Sequence, residues 1–339
     1  MPVRTPRRRN DIGQQGDPSV ERIKTVGLIG AGIIGAGWAT RCLAHGVKVV
    51  AWDPGPEWER KLTGQIEAAW PSVERMYDAD SAQRHNIRLA RSLEEAVEQA
   101  DFIQESAPET LEAKKELLAR IDAVASPGVV IASSSSGLLP SSLQSACRAP
   151  ERFVVGHPYH PVYLMPLVEV VGGQLTAARS IEIAAAFYAA VSMHPLRVRR
   201  EMPGHVSTRL TQALWREALH MIAEGSASTA DIDDAIRYGP GLRWSFMGSC
   251  LVYHMAGGEQ GMRRMLEQFG PTLKLPWTRL PAPELTDELV QRLIEGTHAQ
   301  AQGRSVEELE RYRDDALISV SEALREVRKR HGFDALDNP

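Results

Sequence analysis

A chain of 339 residues, 43% of them hydrophobic, can bury two cores at about 100–200 residues per domain. Its 39 basic and 43 acidic side chains give a net charge of −4. That excludes the basic excess a nucleic acid or an anionic membrane surface would need. Three scattered cysteines, Cys42, Cys147 and Cys250, exclude a disulfide framework and a zinc site, so a reducing, cytoplasmic setting and no metal are expected.

The first 20 residues are polar, carry Arg7, Arg8 and Arg9, and lack the apolar core of a signal peptide; they read as a disordered tail. No later apolar run approaches the roughly 18 residues of a membrane span. Thr25 to Ile29 then reads as a strand running into a glycine turn and a helix. Gly30, Gly32 and Gly35 have the G-x-G-x-x-G spacing, with Ile33 and Ile34 between them. The first glycine permits a tight turn, the second lets a pyrophosphate approach the backbone, and the third lets helix and strand pack closely. The next strand, Val47 to Trp52, ends in Asp53, 18 residues past Gly35, where an acid for a ribose 2′-hydroxyl belongs. No Arg follows closely, so NAD is favoured over NADP.

Short apolar runs alternate with helical stretches to about Arg200, the pattern of a mainly parallel sheet covered on both faces. Glu57 to Tyr77 and Leu111 to Val124 read as helices, and Ser92 to Glu95 as a capping box. Ile87 to Ala90, Phe102 to Glu105, Val129 to Ser133, Phe153 to Gly156 and Leu167 to Val171 read as strands. Beyond Pro203 and Gly204 the period becomes helical. Val206, Leu210, Leu214, Ala218, Met221 and Ile222 share one face, Gly225 stops that helix, and Ser305 to Glu308 caps a last one. The expectation is an α/β chain: a Rossmann-type NAD-binding domain over residues 21–200, an all-helical substrate and dimerisation domain over 201–332, and a tail over 333–339.

Ligands of open α/β sheets sit beyond the C-terminal strand ends. Three polar clusters fall there: Gln104 to Glu109, Ser133 to Ser136, and His157 to Pro161. Glu169 lies 12 residues past His157, inside an apolar strand, where a carboxylate is costly unless paired. A nearby imidazole would satisfy it, and the pair would suit proton abstraction from an alcohol. Plainer accounts exist for each alone: a histidine satisfied structurally at a strand end, and a glutamate facing solvent on an edge.

The run from His157 to Glu169 resembles the histidine-to-glutamate signature of the 3-hydroxyacyl-CoA dehydrogenase superfamily. Residues 135–141, 213–219, 241–244, 255–262, 268–271 and 276–278 are similar to its carnitine-oxidising branch. The resemblance implies that His157 is the catalytic base, Glu169 its partner, and Ser136 the serine that hydrogen-bonds the substrate oxygen. It implies that Glu109 and Lys114 line the nicotinamide half of the NAD site, that Gly30, Gly32, Gly35 and Asp53 serve the rest of it, and that the helical domain forms a homodimer. Two positions depart from the family pattern. His160 and Thr208 stand where asparagines are usual, which bears on the identity of the substrate.

A quaternary-ammonium 3-hydroxy acid is best held by aromatic faces. Tyr159, Tyr163, Trp244, Phe246, Tyr253 and Trp277 are candidates for that role, although large aromatics also serve packing. Arg243 or Ser136 would meet the carboxylate. The alternatives are a short-chain 3-hydroxyacyl-CoA or other 3-hydroxy-acid dehydrogenase, and a non-catalytic dimeric NAD-binding protein.

Overall fold

The computed structural model describes residues 23–245, 247–278 and 286–331. The expected tails over 1–20 and 333–339, and Phe246, lie outside the described residues. The chain divides into two compact units at Leu210/Thr211.

The first unit is built on one eight-stranded sheet of order β3-β2-β1-β4-β5-β6-β7-β8. Its strands are β1 Thr25–Ile29, β2 Lys48–Trp52, β3 Ile87–Leu89, β4 Phe102–Glu105, β5 Val130–Ser133, β6 Phe153–Pro158, β7 Leu167–Val171 and β8 His194–Val198. Neighbours run parallel except β6 and β7, which form an antiparallel hairpin. The strand order reverses between β1 and β4, and that reversal is the crevice where α/β sheets take their ligands.

Both faces of the sheet are covered, which is why its strands read as near-continuous apolar runs. On one face, α1 (Ile33–Ala44), α2 (Trp58–Tyr77) and α6 (Ala178–Ala190) pack Trp38, Leu43, Leu62, Trp70, Phe187 and Tyr188 onto Val26, Phe102 and Val154. On the other, α3 (Leu93–Glu98), α4 (Leu111–Val124) and α5 (Pro140–Gln144) bring Leu93, Leu118, Ile121 and Leu143 onto Ile103, Ile131 and Val155. Alternate residues of each strand thus feed alternate cores. At α3 the Ser92 hydroxyl accepts from the Glu95 amide, but the Glu95 carboxylate reaches back to the amide of Arg91 rather than that of Ser92.

The expected change of rhythm near residue 200 falls just after β8. The unit boundary comes later, inside α7 (Ser207–Ala223), because the start of that helix is bonded to β7. The second unit, as far as it is described, is helical: α8 (Thr229–Tyr238), α9 (Pro240–Trp244), α10 (Ser249–Ala256), α11 (Gly261–Phe269), α12 (Asp287–Ala301) and α13 (Val306–His331). Ser228 and Asp231 form a full capping box on α8, and Ser305 and Glu308 cap α13 reciprocally. No helix among the described residues is long and apolar enough to cross a membrane.

Candidate active site

The glycine turn has the geometry of a phosphate cradle. Gly30 takes φ +100°, and a Cβ there would lie 2.7 Å from the backbone of Ser106. A Cβ on Gly35 would lie 2.0 Å from the Gly30 carbonyl oxygen, while one on Gly32 would meet nothing within 4 Å. Close packing therefore surrounds an open rim formed by Gly32 and the exposed Ile33, with Ile34 half-buried behind it. Gly32 is the N-cap of α1 and offers no side-chain cap, which leaves the first-turn amides and the positive helix end for an anion. Asp53 accepts from the Ala31 amide at 2.8 Å and the Gly55 amide at 2.7 Å, so its carboxylate is fixed beside the turn. These residues fit a dinucleotide.

A buried ion pair organises the next rim. Lys114 is turned into the protein, with Nζ 2.7 Å from Glu105 Oε1. The same ammonium lies 3.7 Å from Glu109. Glu109 Oε1 in turn accepts from the Ser135 hydroxyl at 2.6 Å and from the amides of Ser136 and Gly137 at 2.9 and 3.1 Å. Lys114 thus braces Glu109, and Glu109 shapes the serine turn. Ser136 ends up exposed on that turn.

His157 and Glu169 are direct cross-strand partners in the β6–β7 hairpin. In an antiparallel pair such residues share a face with Cβ atoms about 4.5–5.5 Å apart. His157 Nδ1 lies 2.9 Å from Glu169 Oε2. The glutamate is completely buried. Its other donors are the amides of Val206 and Ser207, both at 2.9 Å, and the Ser207 hydroxyl. Burial pushes its pKa up, but the donors from His157, Ser207 and Val206 outweigh burial and hold it at about 2. An ionised carboxylate can only accept, so the imidazole proton sits on Nδ1, and Nε2 is left with a free electron pair. That is an imidazole free to accept a proton beside a carboxylate held ionised.

The sequence reading missed three supports. Arg41, fully buried in α1, donates to four carbonyls: Val162 at 2.7 Å, Val191 and Met165 at 3.0 Å, and Ser192 at 3.1 Å. It fixes the connection that carries the chain from His157 back to Glu169. A lone arginine in the apolar run of α1 was the available signal. Ser207 completes the grip on Glu169, and the His205 ring lies 5.6 Å from that of His157. Neither has a local sequence signal, because each acts across about 40–70 residues of chain.

Of the expected substrate residues, Tyr159 is half-buried with its ring 6.2 Å from the His157 ring. His160 is exposed on the same connection. Tyr163 packs against the core and accepts from Tyr77 through its carbonyl. Thr208 is half-buried beside Ser207. Trp244 and Arg243 lie on α9, and Tyr253 on α10, all in the second unit, with Trp244 and Tyr253 well exposed.

Comparison with known proteins follows the same lines. Residues 25–202 match the 3-hydroxyacyl-CoA dehydrogenase NAD binding domain and residues 204–302 the C-terminal domain of the same enzymes. An L-carnitine dehydrogenase of Pseudomonas aeruginosa is 55% identical over 93% of this chain and 98% of its own length. Another, from Pseudomonas sp., is 54% identical with the same coverage. The crystal structure of an NAD+-dependent 5-formyl-3-hydroxy-2-methylpyridine 4-carboxylic acid 5-dehydrogenase superposes with a TM-score of 0.71. It covers 89% of this chain and 99% of that one at 23% identity, a likeness of fold. The chain belongs to the 3-hydroxyacyl-CoA dehydrogenase family and is an NAD-dependent oxidoreductase.

Proposed function

We propose that this chain oxidises the 3-hydroxyl of L-carnitine to the ketone, with His157 as the general base. The observation that carries the chemistry is the buried cross-strand pair of His157 and Glu169, 2.9 Å apart. The substrate follows from the 54–55% identity, over nearly the whole chain, to enzymes named L-carnitine dehydrogenase. When bound, NAD supplies the acceptor for the hydride and its electron pair. His157 Nε2 takes the hydroxyl proton as the carbon–oxygen double bond forms. Glu169 holds Nδ1–H in place and stabilises the imidazolium. The exposed Ser136 hydroxyl donates to the substrate oxygen, and the backbone turn that carries it is fixed by Glu109. The amides at the start of α1 hold the pyrophosphate, and Asp53 the adenosine ribose. Lys114 acts on the nicotinamide side through Glu109.

The test is NADH formation from NAD with L-carnitine, D-carnitine, 3-hydroxybutyrate and 3-hydroxybutyryl-CoA in parallel. L-carnitine is turned over preferentially, and His157→Ala abolishes the signal while NAD still binds. Preferential turnover of the CoA ester would overturn the substrate assignment, and full activity of His157→Ala the base assignment.

The physiological partner is a second copy of the chain. Leu214, Trp215, Leu219 and Ile222 of α7 are exposed large hydrophobics, a face that an aqueous monomer rarely leaves uncovered. The three cysteines are unpaired, which suits the cytoplasm.

A further inference from the structure

The turn that leads into α7 contains an unusual pair. Gly204 and His205 both take left-handed conformations, at φ +76° and +49°. For a histidine that is a strained choice, and such strain concentrates at functional sites. The consequence is local and visible. The chain reverses so that the next two amides, of Val206 and Ser207, both point at Glu169 Oε1.

The side chain of His205 is held as firmly as its backbone. It is completely buried, and its Nε2 lies 3.1 Å from the Ser135 carbonyl oxygen. A carbonyl accepts only, so Nε2 carries the proton and Nδ1 keeps a bare electron pair. That Nδ1 is buried without any partner, an arrangement that costs stability and that fold alone does not call for. His205 therefore touches both halves of the reacting centre. Through its backbone it belongs to the turn that grips Glu169. Through Nε2–H it holds the serine turn that presents Ser136.

Resting on the reading of His157 as base, we propose that His205 is a positioning residue: a neutral imidazole strap that sets the distance between the base and the serine that meets the substrate oxygen. The titratable groups that face it are His157, Glu169 and Glu109. Burial holds its own proton affinity down, so it remains an uncharged donor beside a ring that becomes cationic during turnover.

Two variants separate backbone from side chain. His205→Gly keeps the left-handed turn and removes the strap. His205→Gln offers an amide N–H near the place of Nε2–H. With L-carnitine and NAD, His205→Gly should lower kcat by about 10- to 100-fold, the scale of a small misplacement of reacting groups. The NAD dissociation constant should be unchanged, and the isotope effect with 3-deuterated carnitine should rise. His205→Gln should recover most of kcat.

A second readout does not depend on turnover: NMR titration of the His157 ring in the full chain. Without the ring that lies 5.6 Å from that of His157, water reaches the imidazolium, so the His157 midpoint rises in His205→Gly and returns in His205→Gln. The strap is overturned if His205→Gly retains kcat and the wild-type midpoint, or if His205→Gln is as impaired as His205→Gly in both. Should His157→Ala remain active, the base assignment fails instead, and the titration still decides whether the strap exists.

Discussion

Glu169→Gln tests the centre at the atom on which most of it converges. The substitution keeps the volume and one acceptor. The amide oxygen can still accept from Val206 and Ser207, which both bond Oε1 at 2.9 Å. The amide nitrogen then occupies the place of Oε2, facing His157 Nδ1 and the Ser207 hydroxyl. An N–H there needs an acceptor, so the imidazole shifts its proton to Nε2, the atom proposed to receive the alcohol proton. The variant also loses the charge that stabilises the imidazolium. For charges about 4 Å apart at an effective dielectric of about 20 that attraction is about 4 kcal/mol, so kcat/KM should fall by about 10²–10³-fold.

Stability gives an independent reading of the same group. The Glu169 carboxyl titrates at about 2 in the folded chain against an ordinary value of 4.5. A depressed carboxylate stabilises above its unfolded value and loses that contribution as pH falls towards its folded one. Wild type should therefore lose about 3 kcal/mol through this group between about pH 5 and pH 2, and Glu169→Gln should lack that step. NADH formation at neutral pH and urea midpoints across that acid range check both. Activity within about threefold of wild type, a difference of under about 1 kcal/mol, would refute the tautomer argument. An unaltered acid step would refute the assignment of the depressed pKa.

Other sites give further expectations. Gly35→Ala places a Cβ 2.0 Å from the Gly30 carbonyl oxygen, so the turn must open; the KM for NAD should rise while the carnitine KM holds, and stability should fall by about 1–3 kcal/mol. Lys114→Met strands the fully buried Glu105 carboxylate without its cation, which costs about 3–5 kcal/mol and should appear as a lower urea midpoint. Trp215→Glu puts a charge on the exposed apolar face of α7; sedimentation should then report a monomer in place of the proposed wild-type dimer, and an unchanged species would remove that face from the interface.

Local chemistry made the cofactor half of the site legible. The three glycines and Asp53 occupy a contiguous strand–turn–helix–strand, so their spacing alone fixes their relative positions. Period and length likewise recovered β4, β7 and α4 with the bounds the structure gives. The pairing of His157 with Glu169 was readable for a different reason. A buried glutamate in an apolar strand demands a partner, and 12 residues is the length of a hairpin that returns to meet its own start. What stayed hidden depends on contacts between distant segments. Lys114 was expected to line the cofactor site, and its burial against Glu105 comes from the packing of α4 on β4. Arg41 serves carbonyls 121 to 151 residues away. His205 lies 70 residues from the carbonyl it holds, and nothing near either end announces the other.

That contrast bears on how the imidazole and its carboxylate came to be so firmly set. A histidine and glutamate on one hairpin would meet in an isolated β-ribbon, but there the carboxylate would face water and its two oxygens would turn freely. Here the turn entering α7 closes over Glu169 with two amides and a hydroxyl. These donors lower its basicity enough that it stays ionised and never competes with the alcohol for the proton. The turn sits where the first unit ends, so the charge beside His157 is buried and fixed in direction only after the last segment of that unit has docked. A chain truncated after β8 would retain the sheet, the glycine cradle and the hairpin, and so should bind NAD. It would leave Glu169 with only His157 as a donor, at a site now open to water. Such a fragment should therefore bind the dinucleotide without oxidising carnitine.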